Sequence, residues 1–231
     1  MTSVMNLKNN NWKRIAKWVA WGIAGVLFVV FFIRVATFEN SYFNEKHGSK
    51  RAVIIGETTE EELIEVAPTE EEVYEYTVPA DHPRFLTIES LGIYNARILV
   101  MGIRSDESLD TPNNIFDVGW YEGSNKPGEG GTMLIDGHNG GPHVRGVFKN
   151  LPDLAIGEII KVERGDGLFY NYRVVENEEI SLEKANAYMS VAMRSPEKGK
   201  ESLTLITCSG EWSDEQRTYL SRQFVRAVLV E

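Results

Sequence analysis

The sequence predicts an all-β domain, an antiparallel barrel or sandwich, beginning near Pro83. Seven short runs carry the alternation of half-buried strands: RFLTI, ARILVMGI, GTMLIDG, EIIKVER, LFYNYRVVE, LTLITC and FVRAVLV. Turn-forming clusters separate them, among them Gly128-Glu129-Gly130-Gly131, Asn139-Gly140-Gly141-Pro142 and Gly165-Asp166-Gly167. Only residues 181–193 have helical texture, with Ser181 placed to cap the helix.

Ahead of the strands the chain changes texture twice. Residues 18–33, WVAWGIAGVLFVVFFI, are uncharged throughout and flanked by Lys17 and Arg34. Counted on to Phe38, with Lys17 and Arg34 snorkelling, the run reaches about the 20 residues that span a bilayer. Trp12, Trp18 and Trp21 stand where an interfacial aromatic belt belongs. Lys8, Lys13, Arg14 and Lys17 precede the run and few positive charges follow it. The positive-inside rule then puts the N-terminus in the cytoplasm, in a single-pass cell-membrane protein whose remainder lies outside. A cleaved signal peptide would have a shorter apolar core and a small-x-small site, of which Val35-Ala36-Thr37 is a poor version.

The stretch ETTEEELIEVAPTEEEVYEYTVP, residues 57–79, is acidic and has little apolar periodicity. Its charges repel and its apolar surface is too small to offset chain entropy, so it reads as an extended tether, with a solvated helix over 59–66 as the alternative. The expected organisation is a cytoplasmic N-terminus at 1–14, a transmembrane anchor at 15–38, an acidic extracytoplasmic linker at 39–78 and one folded domain at 79–231.

Composition narrows the function. A chain of 231 residues, 42% hydrophobic and 25% charged, has room for one sizeable domain beside an anchor and linker. Its net charge of −10 argues against nucleic-acid binding, which needs a basic face to displace counterions. The single cysteine forms no intramolecular disulfide. No Cys/His cluster has zinc spacing, and no phosphate loop or dinucleotide fingerprint is present.

That cysteine, Cys208, ends the apolar run 203–208 and precedes Ser209-Gly210. In a strand it shares a face with Ile206 and Thr204, while Thr207 points with Leu205. A strand-end position beside a glycine turn weighs evenly between a reactive thiol and an inert core thiol. A thiol of pKa about 8.5 is mostly protonated at neutral pH, so catalysis would need a basic or cationic neighbour. Histidine is the usual one. Of the four histidines, His47 and His82 lie in or beside the acidic stretch and read as solvated. His138 closes the apolar run before a glycine-rich turn, and His143 lies within that turn; a rigid strand end favours His138. Acyl chemistry also needs a donor for the developing oxyanion. Arg222, Arg226 and Arg217 compete for that role, with Arg222 and Arg226 on one face of the last strand.

Taken together, these residues resemble the sortase family. TLITC, ending at Cys208, is similar to the family's TLxTC signature, and Asp136-Gly137-His138-Asn139 to its histidine motif. Arg222, fourteen residues after the cysteine, resembles its arginine. The likeness runs in order from Pro83 to Glu231. It takes in Pro83-Arg84-Phe85-Leu86-Thr87-Ile88, Leu91-Gly92-Ile93, Val118-Gly119-Trp120-Tyr121, Pro127-Gly128-Glu129-Gly130-Gly131, Val147-Phe148, Leu151 and Gly157-Glu158.

The resemblance implies an eight-stranded sortase-type β-barrel with short helices behind one N-terminal transmembrane helix. It implies a cysteine transpeptidase that cuts an LPxTG-like sorting signal of secreted proteins between Thr and Gly. The acyl group would pass to an amine of peptidoglycan precursor or of a pilin. Cys208, His138 and Arg222 would be catalytic, and Thr207 would help position substrate. No long insertion precedes TLITC, which fits a housekeeping-like or class D/E/F-like member. No cofactor is implied; calcium modulation, known in some relatives, stays open, with Glu178 and Glu179 reading as a solvated face.

Two other functions compete with this one. An L,D-type transpeptidase would hold its histidine close to the cysteine, whereas His138 is seventy positions upstream. A non-catalytic tethered β-module that binds wall or partner proteins would be indifferent to loss of Cys208.

Overall fold

A computed structural model describes residues 66–105, 108–140 and 144–230. The expected anchor, His47 and His143 lie outside the described residues. No helix among those described is long and apolar enough to cross a membrane.

Eight strands close into a barrel: β1 (Pro83–Ile88), β2 (Ile93–Met101), β3 (Val118–Tyr121), β4 (Thr132–Gly137), β5 (Ile159–Arg164), β6 (Phe169–Ser181), β7 (Ser202–Ser213) and β8 (Thr218–Leu229). Their order around the barrel is β1-β2-β3-β4-β7-β8-β6-β5. The barrel reading holds, but its pairing is mixed. β2 with β3 and β4 with β7 run parallel, joined by crossovers, and the other neighbours run antiparallel. The parallel pair β4–β7 matters most for the site, because it sets the end of β4 beside the middle of β7.

Alternation along the strands builds two cores. The inward rows, including Leu86, Ile98, Trp120, Ile135, Val162, Tyr172, Leu203, Leu205, Val225 and Ala227, fill the barrel. Trp120 keeps its indole N–H satisfied through Ser124 Oγ at 3.1 Å, as a buried Trp must. The outward rows of β4, β7 and β8 supply Leu134, Ile206 and Phe224, which are buried together with Ala185 and Ala192. Those alanines belong to the helix Leu182–Ala192, which follows Ser181 as expected, although Ser181 makes no side-chain capping bond.

A second, six-residue helix, Glu70–Glu75, falls inside the stretch expected to be extended. Thr69 and Glu72 form a reciprocal capping box, and three glutamates fill the first turn, where the helix dipole favours negative charge. The flanking chain is pinned to the domain. Asn114 Nδ2 donates to Val66 O at 3.0 Å, Tyr76 Oη donates to Ile98 O, and Arg84 Nε donates to Tyr76 O at 2.9 Å. Capping chemistry and an aromatic anchor decide this segment, and neither appears in a count of charge and apolar periodicity. His82, expected to be solvated, is half-buried, with Nδ1 2.8 Å from Asp81 Oδ1 and its ring edge-on to Trp120.

Candidate active site

β7 brings the thiol to the surface through its two faces. On the inward row Leu203 and Leu205 are fully buried, and Thr207 follows them. On the outward row the Thr204 hydroxyl donates to Ala192 O at 2.7 Å at the helix C-terminus, and Ile206 packs in the outer core. Cys208 is next in that row, a half-buried free thiol at the edge of the helix's cover. The expected end of the strand at Cys208 is not observed. β7 runs on to Ser213, because a bulge between Ser209 and Trp212 lets the ladder with β8 resume, with Gly210 at φ +78°. An L side chain rarely adopts that φ, which is why a glycine stands there.

Registers assemble the rest. In the parallel ladder Asp136 of β4 pairs with Ile206 of β7, so two residues onward stand His138 and Cys208. In the antiparallel ladder Cys208 pairs with Arg222 of β8. Residues distant in sequence are thus brought to β7, β8 and the turn just after β4. Two bonds clamp the end of β4 to β7: Thr207 Oγ1 donates to Gly137 O at 2.7 Å, and Asn139 Nδ2 donates to Cys208 O at 2.8 Å.

His138 Nε2 lies 2.8 Å from Pro112 O. A carbonyl only accepts, so Nε2 carries the hydrogen and the proton-exchanging nitrogen is Nδ1. The main chain is held as well: Phe148 N donates to His138 O at 2.9 Å, and a Cβ on Gly146 would fall 2.2 Å from that oxygen. Glycine at 146 lets that turn lie against the histidine.

Burial pushes the Cys208 thiol above its ordinary pKa. The Arg222 guanidinium works against that rise, and the Asp136 carboxylate adds to it. Arg222 Nη1 donates to Tyr219 O and Ser221 O at 3.0 and 2.9 Å, so its group lies back along its own strand. The rivals separate clearly. Arg226 is only 6% exposed, pairs with Glu176 and donates to Arg194 O at 2.8 Å. Arg217 is exposed in the β7–β8 turn, at φ +51°.

Thr207, expected to help position substrate, is 4% exposed, and its hydroxyl donates to Gly137 O at 2.7 Å, which ties β7 to the end of β4. Glu178 and Glu179 are exposed on β6, and no group of three metal-ligating side chains occurs among the described residues.

Sequence reading passed over Asn139, Asp136 and Pro112. The first two sat in a quoted motif, where the signal was polar residues flanking His138 at the end of an otherwise apolar strand. Pro112 acts through its carbonyl, which no residue type announces. Asn139→Asp sets an oxygen against the Cys208 carbonyl and removes a donor. It is expected to cost about 1–3 kcal/mol, read as a fall in Tm, and to lower turnover about tenfold, the equivalent of about 1.4 kcal/mol in the barrier. Calorimetry and steady-state kinetics check both.

Residues 86–230 match the family model for the Sortase domain. Among solved structures, sortase C of Streptococcus pneumoniae is similar at 18% identity and TM-score 0.50, over 72% of this chain and 74% of that one. Group B Streptococcus Pilus Island 1 sortase C2 is similar at 20% identity and TM-score 0.50, over 71% and 82%. The Clostridium perfringens sortase D5 transpeptidase shares 23% identity with TM-score 0.46, over 71% and 90%. At these identities the likeness is one of fold. No curated protein matches the sequence.

Proposed function

The chain belongs to the sortase family and is a cysteine transpeptidase, and we propose that its substrate is an LPxTG-like sorting signal of secreted proteins. The observation that carries this reading is the register that pairs Cys208 of β7 with Arg222 of β8 and runs β4 beside β7 up to Asp136, with His138 just past the end of β4.

In the proposed reaction the Cys208 thiolate attacks the threonine carbonyl carbon, and the C–O π pair moves to oxygen. Arg222 stabilises that oxyanion. As the intermediate collapses, the C–N bond to glycine breaks and His138, as imidazolium, gives its proton to the leaving amine. An incoming amine then attacks the thioester, His138 takes its proton, and the sulfur leaves as thiolate. Cell-wall precursor and pilin both supply such amines. Pilin substrate specificity is described for the Streptococcus pneumoniae sortase C, which makes a pilin one candidate here.

The proposal extends to location. The apolar run at 15–38 anchors the protein in the cell membrane, the N-terminus stays cytoplasmic, and the acidic residues after Phe38 hold the catalytic domain outside. The run's length and the cluster of Lys8, Lys13, Arg14 and Lys17 ahead of it support this.

The test is mass spectrometry of the full chain in detergent with a library of LPxTG-type peptides, with and without an amine acceptor. The expected result is a thioester adduct on Cys208 whose mass includes the peptide up to its threonine, and which the amine discharges. No adduct across the library would remove the sorting-signal reading.

A further inference from the structure

Asp136 stands among the active-site groups and has no part in the reaction described above. In the ladders it lies directly opposite Ile206 of β7 on one side and Gly119 of β3 on the other. It belongs to the outward row of Leu134 and His138, as Ile206 belongs to that of Cys208. From strand spacing and rise, its Cα lies about 8 Å from that of Cys208 on the same face.

Its carboxyl is enclosed by design of the neighbouring backbone. A Cβ on Gly119 would fall 2.4 Å from Asp136 Oδ1 and 3.1 Å from Pro112 Cδ, so β3 and the chain before it close over the carboxyl only because residue 119 is glycine. Few charges face it. The chain between β2 and β3 presents Asp110, which opposes ionisation, and Arg104, which favours it, these two being joined at 2.8 Å. The chain just past its own strand presents His138. β7 presents Cys208, on which Arg222 of β8 also acts. β3 presents Gly119 and β2 Met101, neither charged.

We propose that Asp136 is a positioning residue acting through Cys208: its ionised carboxylate holds the neighbouring thiol protonated, and its neutral acid lifts that restraint. This rests on the reading of Cys208 as nucleophile. Two further facts agree with the geometry. Burial pushes Asp136 up to about 7 against the pull of the Thr111 hydroxyl, so its charge changes within the working range of a cysteine enzyme. Burial is the main cause of the rise in the Cys208 pKa, and Asp136 is the acidic group that adds to it. Asp136 thereby adjusts the pH range over which the thiol reacts.

The test compares Asp136→Asn with the unsubstituted full chain in detergent, following iodoacetamide alkylation of Cys208 from pH 5.5 to 9. The expected ratio of rates, variant over unsubstituted, is near one at pH 5.5, where both side chains are neutral. It rises through pH 7 to several-fold at pH 8–9. A merely structural role would lower reactivity at every pH. A flat ratio, or a uniform loss, overturns the proposal. Asp136→Ser serves where the asparagine variant does not fold. Carbon-detected NMR of Asp136 in the unsubstituted chain needs no variant, and a midpoint in the ordinary carboxylate range would overturn the proposal equally. Alkylation requires no sorting peptide. A rising ratio without peptide processing would keep this inference and remove the substrate reading; processing with a flat ratio would do the reverse.

Discussion

Replacing Cys208 with alanine is expected to lower transpeptidation at least 10,000-fold, on the order seen when a covalent nucleophile is removed, while leaving the fold intact. The sulfur stands at the edge of the outer core, outside the barrel packing of Leu203 and Leu205. Its removal therefore leaves no deep cavity and costs about 1 kcal/mol or less. Activity and stability should also diverge with pH. Burial raises the thiol's folded pKa above its unfolded value, so above about pH 8.5 the unfolded chain gives up a proton that the folded chain still holds. Stability of the unsubstituted protein then falls as pH rises past that value, and the alanine variant lacks this slope. Melting curves at pH 7 and pH 9.5 should show the variant gaining relative to the unsubstituted chain at the higher pH. Alkylation of Cys208 by iodoacetamide, which needs the thiolate alone, should climb from pH 7 toward 9 in the unsubstituted enzyme. Turnover surviving the substitution would move the nucleophile elsewhere in the chain.

Legibility in the sequence followed burial. Strands whose two faces meet protein and water alternate visibly, and these gave the barrel; the inward rows of β1 and β5 are buried. The outer halves of β6, β7 and β8 were not legible. There the ladder Ile180–Arg222 and Trp212–Tyr219 continues beyond the barrel with largely polar or exposed residues, so no apolar alternation marks it. β3 is four residues with a central glycine, too short to show a period. At the site, Cys208 and His138 were legible because their chemistry is rare. Their meeting depends on parallel pairing of β4 with β7, which no local pattern encodes. The carbonyls of Pro112 and Gly137 and the space above Gly119 were invisible because they belong to backbone. The reach of Arg222 and the burial of Arg226 could not be separated by register, since both lie on one face of β8. The difference comes from what covers that face: Arg226 pairs with Glu176 and with the chain after the helix Leu182–Ala192, whereas Arg222 lies beyond it, beside Cys208.

Those two arginines give the second large effect, in opposite currencies. Arg226→Ala leaves Arg194 O without its donor and Glu176 without its ion-pair partner, although Glu176 is itself 35% exposed and keeps access to water. The loss costs roughly 1–3 kcal/mol, which in a domain of this size lowers Tm by about 2–12 °C. Turnover per folded molecule should change little. Arg222→Ala gives up hydrogen bonds that its guanidinium makes only to its own hairpin, at Tyr219 O, Ser221 O and Thr218 Oγ1, so Tm should hold. Its loss removes the cation that opposes the rise in the Cys208 pKa and the donor proposed for the oxyanion. kcat/KM should fall about 100- to 1,000-fold, and alkylation of Cys208 at pH 7 should slow with it. Arg222→Lys separates the two contributions. The point charge should restore most of the alkylation rate, while the lost planar fork leaves transpeptidation well below the unsubstituted level. If Arg226→Ala abolished turnover in protein that remained folded, and Arg222→Ala did not, the oxyanion role would pass to Arg226, and the β7–β8 register would no longer define the site.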